Sequence, residues 1–214
     1  MILPMSSFEG FPADGLAFYA ELEDNNNREW WLEHKDVYER AVRGPMLALL
    51  DELSDEFGEG KAFRPNRDIR FSKDKSPYKT SQGGFAATGE GMGYYLHLDA
   101  TGLLVGGGYH SHTPAQTGKF RAAVDTSSPG EELVRIVAEL RDKGYVVEGE
   151  RLKTVPREFA PDHPRSELLK YKSLTAGRAL GIPGWLSTPE ARDRVRDCWN
   201  ELRPLVEWLT EHVG

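Results

Sequence analysis

Residues 64 to 80 hold the densest set of side chains suited to chemistry: Arg64, Arg67, Asp68, Arg70, Lys73, Asp74, Lys75, Tyr78, Lys79 and Thr80. Guanidinium groups present planar forks that match carboxylates and phosphates, and ammonium groups act as mobile point charges. From Lys61 to Thr80 seven basic residues face two acids, a local charge of +5 in a chain of net −7, which leaves −12 for the remainder. A focused anion site in an acidic shell is the expectation. A duplex-DNA surface is disfavoured, because that partner calls for a broad basic face. The expected ligand contacts are Arg64, Arg67, Arg70, Lys75, Tyr78, Lys79 and Thr80. Tyr78 offers a flat ring for stacking or for a pocket rim. Asp68 is a candidate to orient Arg70 or to act as a base. His163, in Asp162-His163-Pro164, is a second candidate base.

The other polar groups carry weaker signals. His110 and His112 at i and i+2 could share a metal on a strand, but no third ligand accompanies them, so no metal site is expected. Glycines 106 to 108 suit either a close ligand or a strand bulge. Lys170, Tyr171 and Lys172 form a small basic–aromatic group, read first as a solvated face. Cys198 lies among Val195, Trp199 and Leu202 and reads as a buried helix position with nothing nearby to activate its thiol. No Walker loop, nucleophile elbow or paired cysteines appear.

The elements that position these residues follow from apolar spacing. Helices are predicted over 13–23, 27–42 and 45–57, with Asn25-Asn26-Asn27 as the cap between the first two and Gly44-Pro45 as a break. Trp30 and Trp31 are adjacent on the second helix and cannot both face one core. Short strands are predicted at 69–71, 83–88, 93–99 and 103–108, the last three close enough for an antiparallel sheet. Residues 145–147 and 151–153 read as a further strand pair. Helices are predicted at 115–124, 129–143 and from Pro189 toward His212, after a short element at 167–172. The fold class is α+β: a mostly antiparallel sheet with helices at both ends, in a single domain over 1–214. The 39% hydrophobic and 29% charged composition, the single cysteine and the lack of a long apolar run predict a soluble cytoplasmic protein without a membrane partner.

Residues 64–80 fit the pattern R-x-x-R-D-x-R-F-x-x-x-K-x-P-Y-K-T at every specified position. That pattern resembles the signature of an uncharacterised, mainly bacterial family, the domain of unknown function 2461. Gly10-Phe11-Pro12, the segment from Asn25 to Trp30, Asp162-His163-Pro164 and Leu168-Leu169-Lys170 resemble it as well. The resemblance implies one bacterial domain and carries over no catalytic residue. It names no cofactor, reaction or oligomeric state.

Three functions remain open at this level. The first is a small-molecule protein that binds a phosphorylated or carboxylated ligand, with phosphoester or nucleotide chemistry if a reaction follows. The second is a non-enzymatic module for single-stranded nucleic acid or an acidic protein. The third is a purely structural network of ion pairs.

Overall fold

The computed structural model describes residues 7–70, 73–110 and 113–214. Its architecture is α+β. Six strands form an antiparallel sheet: β1 (Gly60–Ala62), β2 (Ser81–Gly89), β3 (Met92–Asp99), β4 (Gly102–Tyr109), β5 (Val146–Glu148) and β6 (Leu174–Gly181). Their order across the sheet is β1-β2-β3-β4-β6-β5. The helices are α1 (Ala13–Asp24), α2 (Arg28–Tyr38), α3 (Gly44–Glu52), α4 (Ser54–Phe57), α5 (Pro114–Asp125), α6 (Ser127–Asp142), α7 (Ser166–Leu169) and α8 (Glu190–Val213). No helix among the described residues is long and apolar enough to cross a membrane.

The chain divides into two compact units, residues 1–86, 95–105 and 179–197 in one, and 87–94, 106–178 and 198–214 in the other. In the first, Phe18, Tyr19 and Leu22 of α1 are buried with Trp31, Tyr38, Met46, Leu49 and Leu50. Apolar residues at spacings of three and four supply that face. A cluster of rings forms around Phe18, whose centroid is 5.3 Å from those of Tyr19 and Trp30 and 5.6 Å from that of Trp31. In the second unit Phe120, Leu133, Leu140, Trp199, Leu202 and Leu205 are buried. Thr113 and Gln116 close a reciprocal capping box at the start of α5.

Four local expectations change. Gly44-Pro45 does not end the helix. A π-helical turn, Glu39–Arg43, carries the chain from α2 directly into α3. Pro45 is tolerated there because the first turn of α3 needs no N–H from it. Residues 69 and 70 are not a strand; Ile69 and Arg70 lie in an exposed loop, and Phe71 falls outside the described residues. Among the described residues no strand pairs with Ile69 or Arg70 to satisfy their alternation. Residues 146–148 do not pair with 151–153. Val147 faces Ala176 of β6, and Arg151 bridges Tyr171 instead.

The fourth change is β6 itself, which the sequence reading lacked. Glycines 106 to 108 are explained by it. A Cβ on Gly106 would lie 3.1 Å from the Ala176 carbonyl, and one on Gly108, at φ +134°, would lie 2.4 Å from that of Leu174. A Cβ on Gly107 would meet Val206 of α8 at 3.2 Å. The glycines admit protein backbone and a helix, not a ligand.

Candidate functional site

The signature segment is an excursion closed at its base like a small hairpin. Arg67 N–H donates to the Pro77 carbonyl at 2.9 Å, and Lys79 N–H donates to that of Pro65 at 2.8 Å. Between them Asn66 and Tyr78 form an isolated antiparallel bridge. Asn26 fixes this base from the helical side. Its Oδ1 accepts from Tyr78 N–H at 3.1 Å and its Nδ2 donates to the Tyr78 carbonyl at 3.0 Å. The three consecutive asparagines therefore do three jobs. Asn25 donates to the Glu21 carbonyl at 2.9 Å, and Asn27 caps α2 by accepting from Trp30 N–H at 3.0 Å. Asn26 alone reaches across 52 positions.

Tyr78 is 8% exposed and stacks on Trp31, with ring centroids 4.0 Å apart and planes 9° from parallel. The face that could have stacked a base is occupied by protein. Trp30, its neighbour, stacks on His34 at 4.0 Å. The two adjacent indoles share the Phe18 ring as a neighbour but differ in burial: Trp31 is buried and Trp30 half-buried.

Beyond the base the charges pair locally. Arg70 forms a fork with Asp68, Nε to Oδ1 at 3.0 Å and Nη2 to Oδ2 at 2.6 Å. These hydrogen bonds come first in holding the Asp68 carboxyl below its ordinary range, and the Arg64 charge adds to them. A carboxylate held this way orients Arg70 and is a weak base. Arg67 pairs with Asp74. Asp74 also accepts from the amide and hydroxyl of Ser76 at 2.9 and 2.6 Å, contacts that lower its carboxyl pKa. Lys75 Nζ donates to the Ile69 carbonyl at 2.9 Å. Lys79 stands 5.7 Å over the Phe63 ring, and Thr80 is half-buried. Arg64 is exposed, and so is Arg70, whose side chain is 76% accessible. The loop gives Arg67 and Arg70 an aspartate each, and Asp68 orients Arg70 as expected.

A cleft of about 310 Å³ opens beside the base. Asn66 and Tyr78 line it from the signature, and Lys35, Tyr38, Glu39 and Arg43 line it from α2 and the π turn. Its polar groups are anchored: Tyr38 Oη donates to Gln82 Oε1 at 2.7 Å, and buried Gln82 donates in turn to the Phe63 and Gly83 carbonyls, each at 2.8 Å. Burial raises the Tyr38 phenol pKa to about 12. Lys35, Glu39 and Arg43 were not singled out in the sequence. Their spacing of four residues was a signal, since it gathers side chains on one helical face.

The remaining candidates lie in the second unit. His163 accepts from Arg165 N–H through Nδ1 at 3.0 Å and meets Asp125 through Nε2 at 3.2 Å. Both ring nitrogens are engaged in holding the turn. Lys170 and Lys172 pair with Glu167 and Glu150. His110 N–H donates to the Gly91 carbonyl at 3.0 Å, and His112 falls outside the described residues. Cys198 is buried as expected, yet it has an unforeseen neighbour: Arg178 Nη2 is 3.0 Å from its sulfur.

No curated protein and no solved structure matches the chain. The family model described as a conserved hypothetical protein (DUF2461) matches residues 14–208, which takes in the signature hairpin, Asn26, Trp31 and the cleft, and the chain belongs to that family.

Proposed function

We propose that the chain binds a small phosphorylated or carboxylated molecule where the signature hairpin meets the cleft at its base. The observation that carries this reading is the company the cleft keeps. Its lining includes Lys35 and Arg43 with Glu39 as the one acid, and its wall is the base of a segment that also bears Arg64, Arg67, Arg70, Lys75 and Lys79. A volume near 310 Å³ is the size of a small-molecule pocket. Rigid donors and an aromatic wall add selectivity to charge.

Division of labour follows from exposure. Arg70, oriented by Asp68, draws the anion in from solvent. Lys35, Arg43 and the Asn66 amide are the groups to hold it. Tyr78 gives the pocket one apolar wall and does not stack a base, because Trp31 covers it. The surface position of the Asp68–Arg70 and Asp74–Arg67 pairs weighs against a purely structural role, since exposed pairs contribute little to stability.

A thermal-shift titration with inorganic phosphate, sugar phosphates, nucleotides and dicarboxylates tests this. The expected result is a rise in Tm for at least one class, lost in Arg43→Ala and reduced in Arg70→Ala, with both variants folded. No rise with any anion overturns the proposal. A rise with single-stranded oligonucleotides alone, falling steeply with salt, replaces it with the nucleic-acid reading.

A further inference from the structure

Tyr95, His97 and Asp99 alternate along β3, so their side chains share one face of the strand. They are also joined. Asp99 Oδ1 accepts from the amide and hydroxyl of Thr101 at 2.7 and 2.6 Å, which fixes the carboxylate at the hairpin turn. Its second oxygen, Oδ2, is 3.1 Å from His97 Nε2. His97 Nδ1 is 3.1 Å from Tyr95 Oη. Partial burial opposes ionisation of Asp99, but the Thr101 and His97 hydrogen bonds outweigh it and hold the carboxyl below its usual range.

That order of groups sets the direction of each proton. An ionised carboxylate only accepts, so His97 Nε2 carries the hydrogen. In the neutral ring Nδ1 is then bare, and Tyr95 donates to it. Acceptor, oriented imidazole and hydroxyl together make the arrangement that activates a weak hydroxyl nucleophile. Burial raises the Tyr95 phenol pKa, so the hydroxyl needs such a base. The His97 and Asp99 side chains remain 30% and 28% accessible.

On the side of Gly83 the hydroxyl is closely packed. A Cβ at Gly83 would sit 3.2 Å from Tyr95 Oη and 2.7 Å from the Phe63 ring, so the glycine lets the two strands carry these rings side by side. Phe63 itself lies 6.4 Å from the Tyr95 ring, an apolar neighbour for an incoming group.

We propose that Tyr95 is a nucleophile for acyl transfer from small carboxylic esters, with His97 as its base and Asp99 as the positioning residue. Tyr95 Oη bonds to the ester carbonyl carbon while its proton passes to His97 Nδ1. Collapse of the adduct breaks the bond to the leaving alcohol, which takes that proton. Water then attacks the acyl-tyrosine, gives one proton to His97 and releases the acid; His97 returns the proton to Tyr95. Ester and water become acid and alcohol, with no other reactant. This activity does not depend on anion binding at the hairpin.

The test treats the full chain with p-nitrophenyl acetate, following p-nitrophenolate by absorbance and the acetyl group by peptide mass spectrometry. Acetylation of Tyr95 ahead of the other tyrosines is expected, with a burst of p-nitrophenolate that Tyr95→Phe removes. His97→Asn keeps an acceptor near the Nδ1 position but takes no proton. It is expected to slow Tyr95 acetylation about 100-fold. Asp99→Asn offers a donor to Nε2, so the protonated nitrogen in ¹⁵N spectra is expected to move to Nδ1 as acetylation slows. Tyr95 reacting no faster than the other tyrosines in the native chain overturns the proposal, whatever the variants do. Unchanged acetylation in folded His97→Asn overturns it too.

Discussion

The signature hairpin has a base and a tip that differ in kind, although only a few residues separate them. The base is built by groups from distant sequence. Tyr78 lies flat on Trp31, and Asn26 holds its amide and its carbonyl at once. The tip is built from its own residues: Asp68 with Arg70, Asp74 with Arg67 and Ser76, Lys75 with the Ile69 carbonyl. A buried aromatic pair resists salt and solvent, while exposed ion pairs are screened and readily exchanged for another anion. One stretch of sequence therefore joins an anchor to a set of replaceable charges, and its two ends should answer to different perturbations.

The largest separation between base and tip is expected from Tyr78→Ala. It empties a buried aromatic position, with an expected loss of about 3–5 kcal/mol in urea unfolding. A loss no larger than that of a tip variant would erase the distinction. Tyr38, beneath the base, gives the next effect through pH. Its folded pKa of about 12 exceeds the ordinary 10.0, so the stability tied to its protonated form is complete below pH 10 and is lost as pH rises toward 12. A shift of that size corresponds to roughly 2–3 kcal/mol. The difference between wild type and Tyr38→Phe should narrow by that much across the window, measured by unfolding at both ends of it.

Asn26→Ala removes both clamps on Tyr78 and is expected to cost about 1–3 kcal/mol. Hydrogen exchange should then quicken at the Arg67 and Lys79 amides, which close the base, more than elsewhere in the first unit. The smallest effects belong to the tip. Arg70→Ala should leave Tm unchanged in the absence of ligand, and a marked drop would assign the fork with Asp68 a structural role. The Asp68 and Asp74 carboxyls are held below the ordinary value of 3.8. Whatever order they lend the tip is present above that value and fades as pH falls below it. Titration of both carboxyls by NMR, with the Tyr78 ring signals unmoved, would separate tip from base directly.

The fold was legible where neighbouring residues decide it. The 3.6-residue stripes of α1, α6 and α8, and the alternation in β3, carry enough apolar contrast to stand alone. β6 was not, because Gly177, Arg178 and Gly181 interrupt its pattern and its strand character comes from pairing. The pairing of β5 with β6 joins residues 27 to 31 positions apart, while a nearer and wrong partner lay at 151–153. At the site, the concentration of charge was plain from composition. Which aspartate each arginine meets was not, because Ile69 and Arg70, expected to open a strand, lie in a loop. Asn26 was read as a cap like its neighbours; nothing local distinguishes an amide that reaches Tyr78 from one that ends a helix.

The π turn at Glu39–Arg43 has a consequence for how the chain can vary in length. A π turn accommodates one residue more than a regular helix would hold. Deleting one residue within it would restore an ordinary helix and leave the elements beyond close to their present facing, because the wide turn already takes up the extra residue. Deleting one residue from the regular turns of α2 would instead rotate everything beyond it by about 100°. Met46, Leu49 and Leu50 would then turn away from the core they now share with Trp31. A change of one residue in the length of related chains is therefore expected at this turn before anywhere else along the helix.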